Sequence, residues 1–147
     1  MAQVSGGDKA GPALVTIGDS LATAKTVKVG FLAGATYPDG TPVAMVAAIQ
    51  DFGAPAVGIP PRPFFRNMVA KKKSEWPKAI GDLLKANDYD AYKTLEQTGA
   101  AIKGQLQDSI VSTNEPPLKP ATIARKGFSK PLIASSHMIN SVDYEVV

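Results

Sequence analysis

A chain of 147 residues with 44% hydrophobic and 20% charged side chains has the size and make-up of one globular domain, and it is too apolar to remain disordered. It contains no cysteine, which excludes disulfide staples, thiolate chemistry and cysteine-ligated metal. Its net charge of +3 is too small to imply a partner, so the placement of charge matters more than the sum.

The N-terminus lacks the basic start and apolar run of a secretory signal. No stretch approaches the roughly 18 apolar residues of a membrane helix, so no membrane partner and synthesis in a cytoplasm are expected. Residues 1–11 are small and polar, with Ser5-Gly6-Gly7 freeing the backbone; they read as a flexible arm before a single domain over 12–147. Val27, Val29, Phe31 and Ala33 alternate with Lys28, Gly30 and Leu32, the period of a half-buried strand, and a segment around Leu14 to Ile17 is expected to pair with it. Tyr37-Pro38-Asp39-Gly40 has turn chemistry, because proline presets φ and Asp-Gly accepts positive φ.

From Pro42 to Phe52, Val43, Val46, Ala47 and Ile49 have helical spacing, and Gly53 stands just past the end, where it serves as the cap. Residues 54–63 hold four prolines, which remove donors and restrain their predecessors, so a stiff extended loop is expected. Apolar residues between Phe64 and Leu84 fall near one helical face, with Lys71-Lys72-Lys73 on the other. Pro77 either kinks that helix or lies in the first turn of a second one capped by Ser74.

The clearest helix runs from about Asp88 to Val111, where Tyr92, Leu95, Gly99, Ile102, Leu106 and Ile110 recur at steps of three and four. Gly99 and Gly104 each lower its propensity by about 1 kcal/mol against alanine, which points to close packing on a neighbour. A proline-rich loop over 113–120 leads to one helical turn over Thr122–Lys126 and a short helix over Leu132–Asn140. A closing strand follows, in which Val142, Tyr144 and Val146 alternate with Asp143 and Glu145. The fold class is therefore α+β, a small antiparallel or mixed sheet flanked by two longer helices.

Catalytic constellations are not found. Asp51-Phe52-Gly53 matches a kinase magnesium tripeptide, but the glycine-rich loop, strand lysine and catalytic loop of kinases are missing; the expected role is a helix end with Phe52 buried. No phosphate-binding glycine loop occurs. His137 is the sole histidine, which leaves only a lone base beside Ser135 or Ser136 with no carboxylate to orient it. The chain reads as a non-enzyme with no cofactor and no metal. Charge is more informative: Arg62 to Lys85 carries seven basic residues against two acids, and Lys119 to Lys130 carries four against none. Lys71, Lys72, Lys73, Arg125 and Lys126 are thus candidates to face DNA or an acidic partner.

One ordered set of motifs remains. Val29-Gly30 ends a strand, Ala48-Ile49-Gln50-Asp51-Phe52-Gly53 ends a helix, and Ile59-Pro60-Pro61-Arg62-Pro63-Phe64-Phe65 opens the next. Leu118-Lys119-Pro120-Ala121-Thr122-Ile123-Ala124-Arg125-Lys126-Gly127, Pro131-Leu132-Ile133 and a strand ending Tyr144-Glu145-Val146 follow. This order resembles the neck and tail-completion (head–tail joining) proteins of long-tailed bacteriophages and reaches over most of the chain. The resemblance implies a structural virion protein, made in the host cytoplasm. It would form a homo-oligomeric ring of six or twelve copies at the head–tail joint, allow DNA passage with transient non-specific DNA contact, and meet adjacent connector and tail proteins. Arg62, Phe64, Phe65 and Tyr144 are then candidate interface residues, since a rigid proline presents two aromatics from an inflexible loop. A tail terminator ring and a nucleic-acid-binding module using the Lys71–Lys73 face are the competing readings.

Overall fold

The computed structural model describes residues 6–113, 116–126 and 136–147, with only the backbone described at residue 126. Within these, seven α-helices surround a two-stranded antiparallel sheet. Helix α1 (Gly7–Leu21) comes first, followed by strand β1 (Val27–Phe31), α2 (Val43–Phe52), α3 (Phe64–Lys72), α4 (Trp76–Ala86), α5 (Ala91–Ser112), α6 (Pro120–Lys126), α7 (His137–Asn140) and strand β2 (Val142–Val146). The α+β class holds, and the sheet is the antiparallel alternative.

Alternation dictates how the sheet is seated. Val27, Val29 and Phe31 stand opposite Val146, Tyr144 and Val142, so one face is apolar and lies on α5. Lys28 meets Glu145 on the other face. The tight seat has a visible cause at Gly99, in the middle of α5. An added Cβ there would lie 2.5 Å from Tyr144 Cδ2 and 2.9 Å from Val27 Cγ2, so only glycine lets the helix approach the strands this closely. Gly104, expected to do the same, has nothing within 4 Å.

The core lies between α5, α2, α3 and the end of the sheet. Val43, Phe64, Leu106 and Val142 have no exposed surface and Ile110 has 1%, and the Phe31 ring meets Phe64 edge-on at 6.3 Å. Helix α5 starts where its cap sits: the Asp90 carboxylate accepts Lys93 N–H at 3.0 Å. The turn at Tyr37–Gly40 forms as read, closed by Gly40 N–H to the Tyr37 carbonyl at 2.9 Å and by Thr41 N–H to Asp39 at 2.9 Å.

Several expectations are corrected. The segment read as arm and strand is helical from Gly7 to Leu21, because Ala10, Leu14, Ile17 and Leu21 follow the helical period despite the glycines; residues 1–5 lie outside the described residues. The 64–84 helix is two, broken at residues 73–75, with Pro77 in the first turn of α4 as one alternative held, but without a side-chain cap from Ser74. The proline loop carries a 3₁₀ turn at Pro55–Val57. Of the short helix over 132–140, residues 136–140 are described, and 137–140 are helical.

Candidate functional site

The motif-bearing segments meet around Asp51. Helix α3 begins immediately after Pro63, whose side chain has no acceptor to cap it. Pro63 instead forms a tight inverse γ-turn, with φ −76° and ψ 59° and the Phe64 N–H donating to the Arg62 carbonyl at 2.7 Å. The missing cap comes from a distance. Asp51, 4% exposed at the end of α2, accepts the Phe65 N–H at 2.9 Å and, more weakly, the Arg66 N–H at 3.4 Å.

The same carboxylate accepts Arg66 Nε at 2.7 Å, while Arg66 Nη2 donates to the Asp51 carbonyl at 2.6 Å. A buried carboxylate at a helix N-terminus is favourable because the first N–H groups have no helical partner and the dipole is positive there. Gly53, at φ 78°, then turns the chain sharply: an added Cβ would lie 2.7 Å from Pro61 N.

Arg62 is a strut. It is 5% exposed, its Nε donates to the Pro116 carbonyl at 2.9 Å, and its N–H donates to the Gln50 carbonyl at 2.8 Å. Burial pushes its guanidinium pKa down, yet arginine starts so high that it stays charged. These bonds tie the α2 end, the proline loop and the segment before α6 together. Two interface candidates face inward in this fold: Arg62 is taken up by these internal bonds, and Phe64 has 0% exposure. Phe65 and Tyr144 are half-buried, Phe65 against the core and Tyr144 against Gly99.

Phe52 departs from its expected burial. It is 64% exposed, with the Arg66 guanidinium 4.5 Å from its ring centroid, a cation–π contact. Together with Phe31, Ala47, Ala48, Phe64 and Phe65 it lines an open groove of about 310 Å³. Fixing Arg66 with Asp51 thus also fixes one wall of an apolar recess.

The basic candidates do not converge. Lys71 and Lys72 line a recess with Gln105 and Asp108, whereas Arg125 lines another with Lys119 and Arg62. Lys72 pairs with Glu75 at 3.4 Å; Lys71 and Lys73 are exposed and form no ion pair among the described residues. The Lys126 side chain lies outside the described residues. His137 Nε2 is 2.8 Å from the Thr36 carbonyl, so that nitrogen acts as a donor there, and the ring lies 4.7 Å from Tyr37; Ser135 is outside the described residues. Among the described residues no group of three acidic or histidine side chains is placed to hold a metal, and no helix is long and apolar enough to cross a membrane.

Reading the sequence misses the remote cap, although a signal for it exists: a helix opening on Pro-Phe-Phe with no Ser, Thr, Asn or Asp before it must find an acceptor elsewhere. In comparisons with known proteins, the chain matches no family model, no curated protein and no solved structure.

Proposed function

We propose that this chain is a structural virion subunit that forms a homo-oligomeric ring at the head–tail joint of a tailed phage, with no catalytic role. One observation carries the reading: the described segments among those that resemble neck and tail-completion proteins are joined by direct contacts. Asp51 caps the helix opened by Arg62-Pro63-Phe64-Phe65, Arg62 holds the segment leading into α6, the Phe65 ring lies 3.5 Å from the position of an added Cβ on Gly30, and β2 closes on β1. Motifs that were only an order along the chain thereby act as a single scaffold.

The test is assembly. The purified full chain should form closed particles of six or twelve copies by mass photometry and electron microscopy, and these should bind isolated heads. A chain that stays monomeric up to high micromolar concentration refutes the reading. Rings that bind tail tubes and ignore filled heads would identify a terminator.

Lys71 and Lys73, exposed and without an ion pair among the described residues, favour a second role in contacting DNA. A Lys71→Glu/Lys73→Glu variant should lower the slope of log affinity against log salt by about 2, since each phosphate contact contributes roughly 0.9. An unchanged slope rejects it.

A further inference from the structure

Helix α1 is at odds with its own chain. It contains no buried residue, it packs chiefly on α5, and only Ile17 and Ser20 are partly covered. Leu14 is 68% exposed and Val15 63%; Val15 is on the side of the helix facing away from Ile17, and Leu14 lies about 60° around the helix from Ile17. Isolated helices of fewer than about 15 residues are marginal in water even when alanine-rich. This one also carries Gly7, Gly11 and Gly18, with Pro12 inside, each of which disfavours a free-standing helix. Its own body does not supply the cover that such a helix needs.

The same chain carries a receptor of matching chemistry at its other end. Helix α1 leaves the body at the start of α5, where Tyr92 N–H donates to the Thr23 hydroxyl at 3.0 Å. The apolar groove between α2 and α3 sits near the far end of α5, where the Ser109 hydroxyl donates to the Phe64 carbonyl at 2.7 Å. The two are separated by roughly 18 residues of α5, or about 27 Å at 1.5 Å per residue.

Charge is complementary as well. Asp8 and Asp19 lie on the Val15 side of α1 and have no ion-pair partner among the described residues, whereas α3 carries no acid and sets Arg66 at the groove. Arg66, 49% exposed, stands at the groove rim and keeps one Nη without an acceptor among the described residues.

We infer that α1 of one copy docks through Leu14 and Val15 into the α2–α3 groove of the next copy, with Ala48 and Phe52 as its floor and Arg66 meeting the acidic flank. Helix and groove are different surfaces of one chain, so the contact is head-to-tail and propagates until rotation closes it. The mode is a helix in a groove. The inference names the contact that would build the proposed ring and in that respect rests on that reading.

Because the chain has no cysteine, full-length Val15→Cys and Ala48→Cys chains report the contact directly. Under mild oxidation, the double variant should give a ladder of covalent multimers. The two single variants mixed should give a heterodimer in at least tenfold excess over either homodimer. A Leu14→Asp/Val15→Asp variant, whose altered residues are both mostly exposed, should keep its circular dichroism and lose at least tenfold in assembly affinity. Closed rings without these cross-links overturn the docking and leave the ring reading standing. An open ladder without closed particles supports the docking and removes the ring. A cross-link within one chain, or Leu14→Asp/Val15→Asp assembling as well as the parent, overturns the inference.

Discussion

Replacing Asp51 by alanine removes the acceptor on which the start of α3 depends. The Phe65 N–H loses its 2.9 Å bond with Pro63 unable to substitute, and a lost cap costs about 1 kcal/mol, up to about 2. Arg66 loses its 2.7 Å bond as well. A hydrogen bond to a charged group contributes about 1.5–3 kcal/mol, but Arg66 is 49% exposed and water replaces much of that, leaving about 1 kcal/mol. The total is about 2–3 kcal/mol, or a fall in Tm of roughly 6–10 °C for a domain of this size.

Asp51→Asn separates the two contributions. It keeps an oxygen for the Phe65 N–H and removes the charge that Arg66 meets, so it should cost about half as much. Urea denaturation followed by circular dichroism and by fluorescence of Trp76, the one tryptophan, measures both. A loss under about 0.5 kcal/mol for Asp51→Ala would refute remote capping, since any lost cap exceeds that. Equal losses for the two variants would refute the division between cap and charge.

Gly99→Ala sets two effects against each other: alanine gains about 1 kcal/mol of helix propensity, while a methyl 2.5 Å from Tyr144 Cδ2 and 2.9 Å from Val27 Cγ2 costs about 1–3 kcal/mol of overpacking. Packing should win, lowering the urea midpoint; a raised midpoint would show that the strands yield freely. The Asp143 carboxyl is held below its ordinary pKa by the Tyr144 backbone N–H and then by Lys103, 3.2 Å away. A lowered folded pKa gives stability that is present above about pH 4 and lost as pH falls through the folded value. Asp143→Asn should therefore be less stable than the parent at pH 7 and equal to it near pH 2; the same deficit in urea midpoint at both pH values would exclude the linkage.

Much of the local structure is written in local patterns. The period of two in Val27-Val29-Phe31 and in Val142-Tyr144-Val146, the three-and-four spacing of α5 and the Gly53 stop are short-range signals, and each element formed where its signal stands. Even Gly99 announces a close approach, because a glycine inside a strong helix needs a reason outside it. Helix α1 is hidden for the opposite reason: its glycines and Pro12 weigh against a helix locally and mask its period.

The candidate site was less legible. Its motif residues are visible as an order along the chain, but their jobs depend on contacts between segments far apart in sequence. Only the fold decides that Asp51 caps a helix beginning beyond a proline loop, that Arg62 is spent on Pro116 and Gln50, and that Phe64 is sealed inside while Phe52 is left in solvent. Propensity and periodicity act over a few residues of one element. Burial and capping across segments are settled where elements meet, so tertiary structure alone determined which aromatics anchor this core and which are left in solvent.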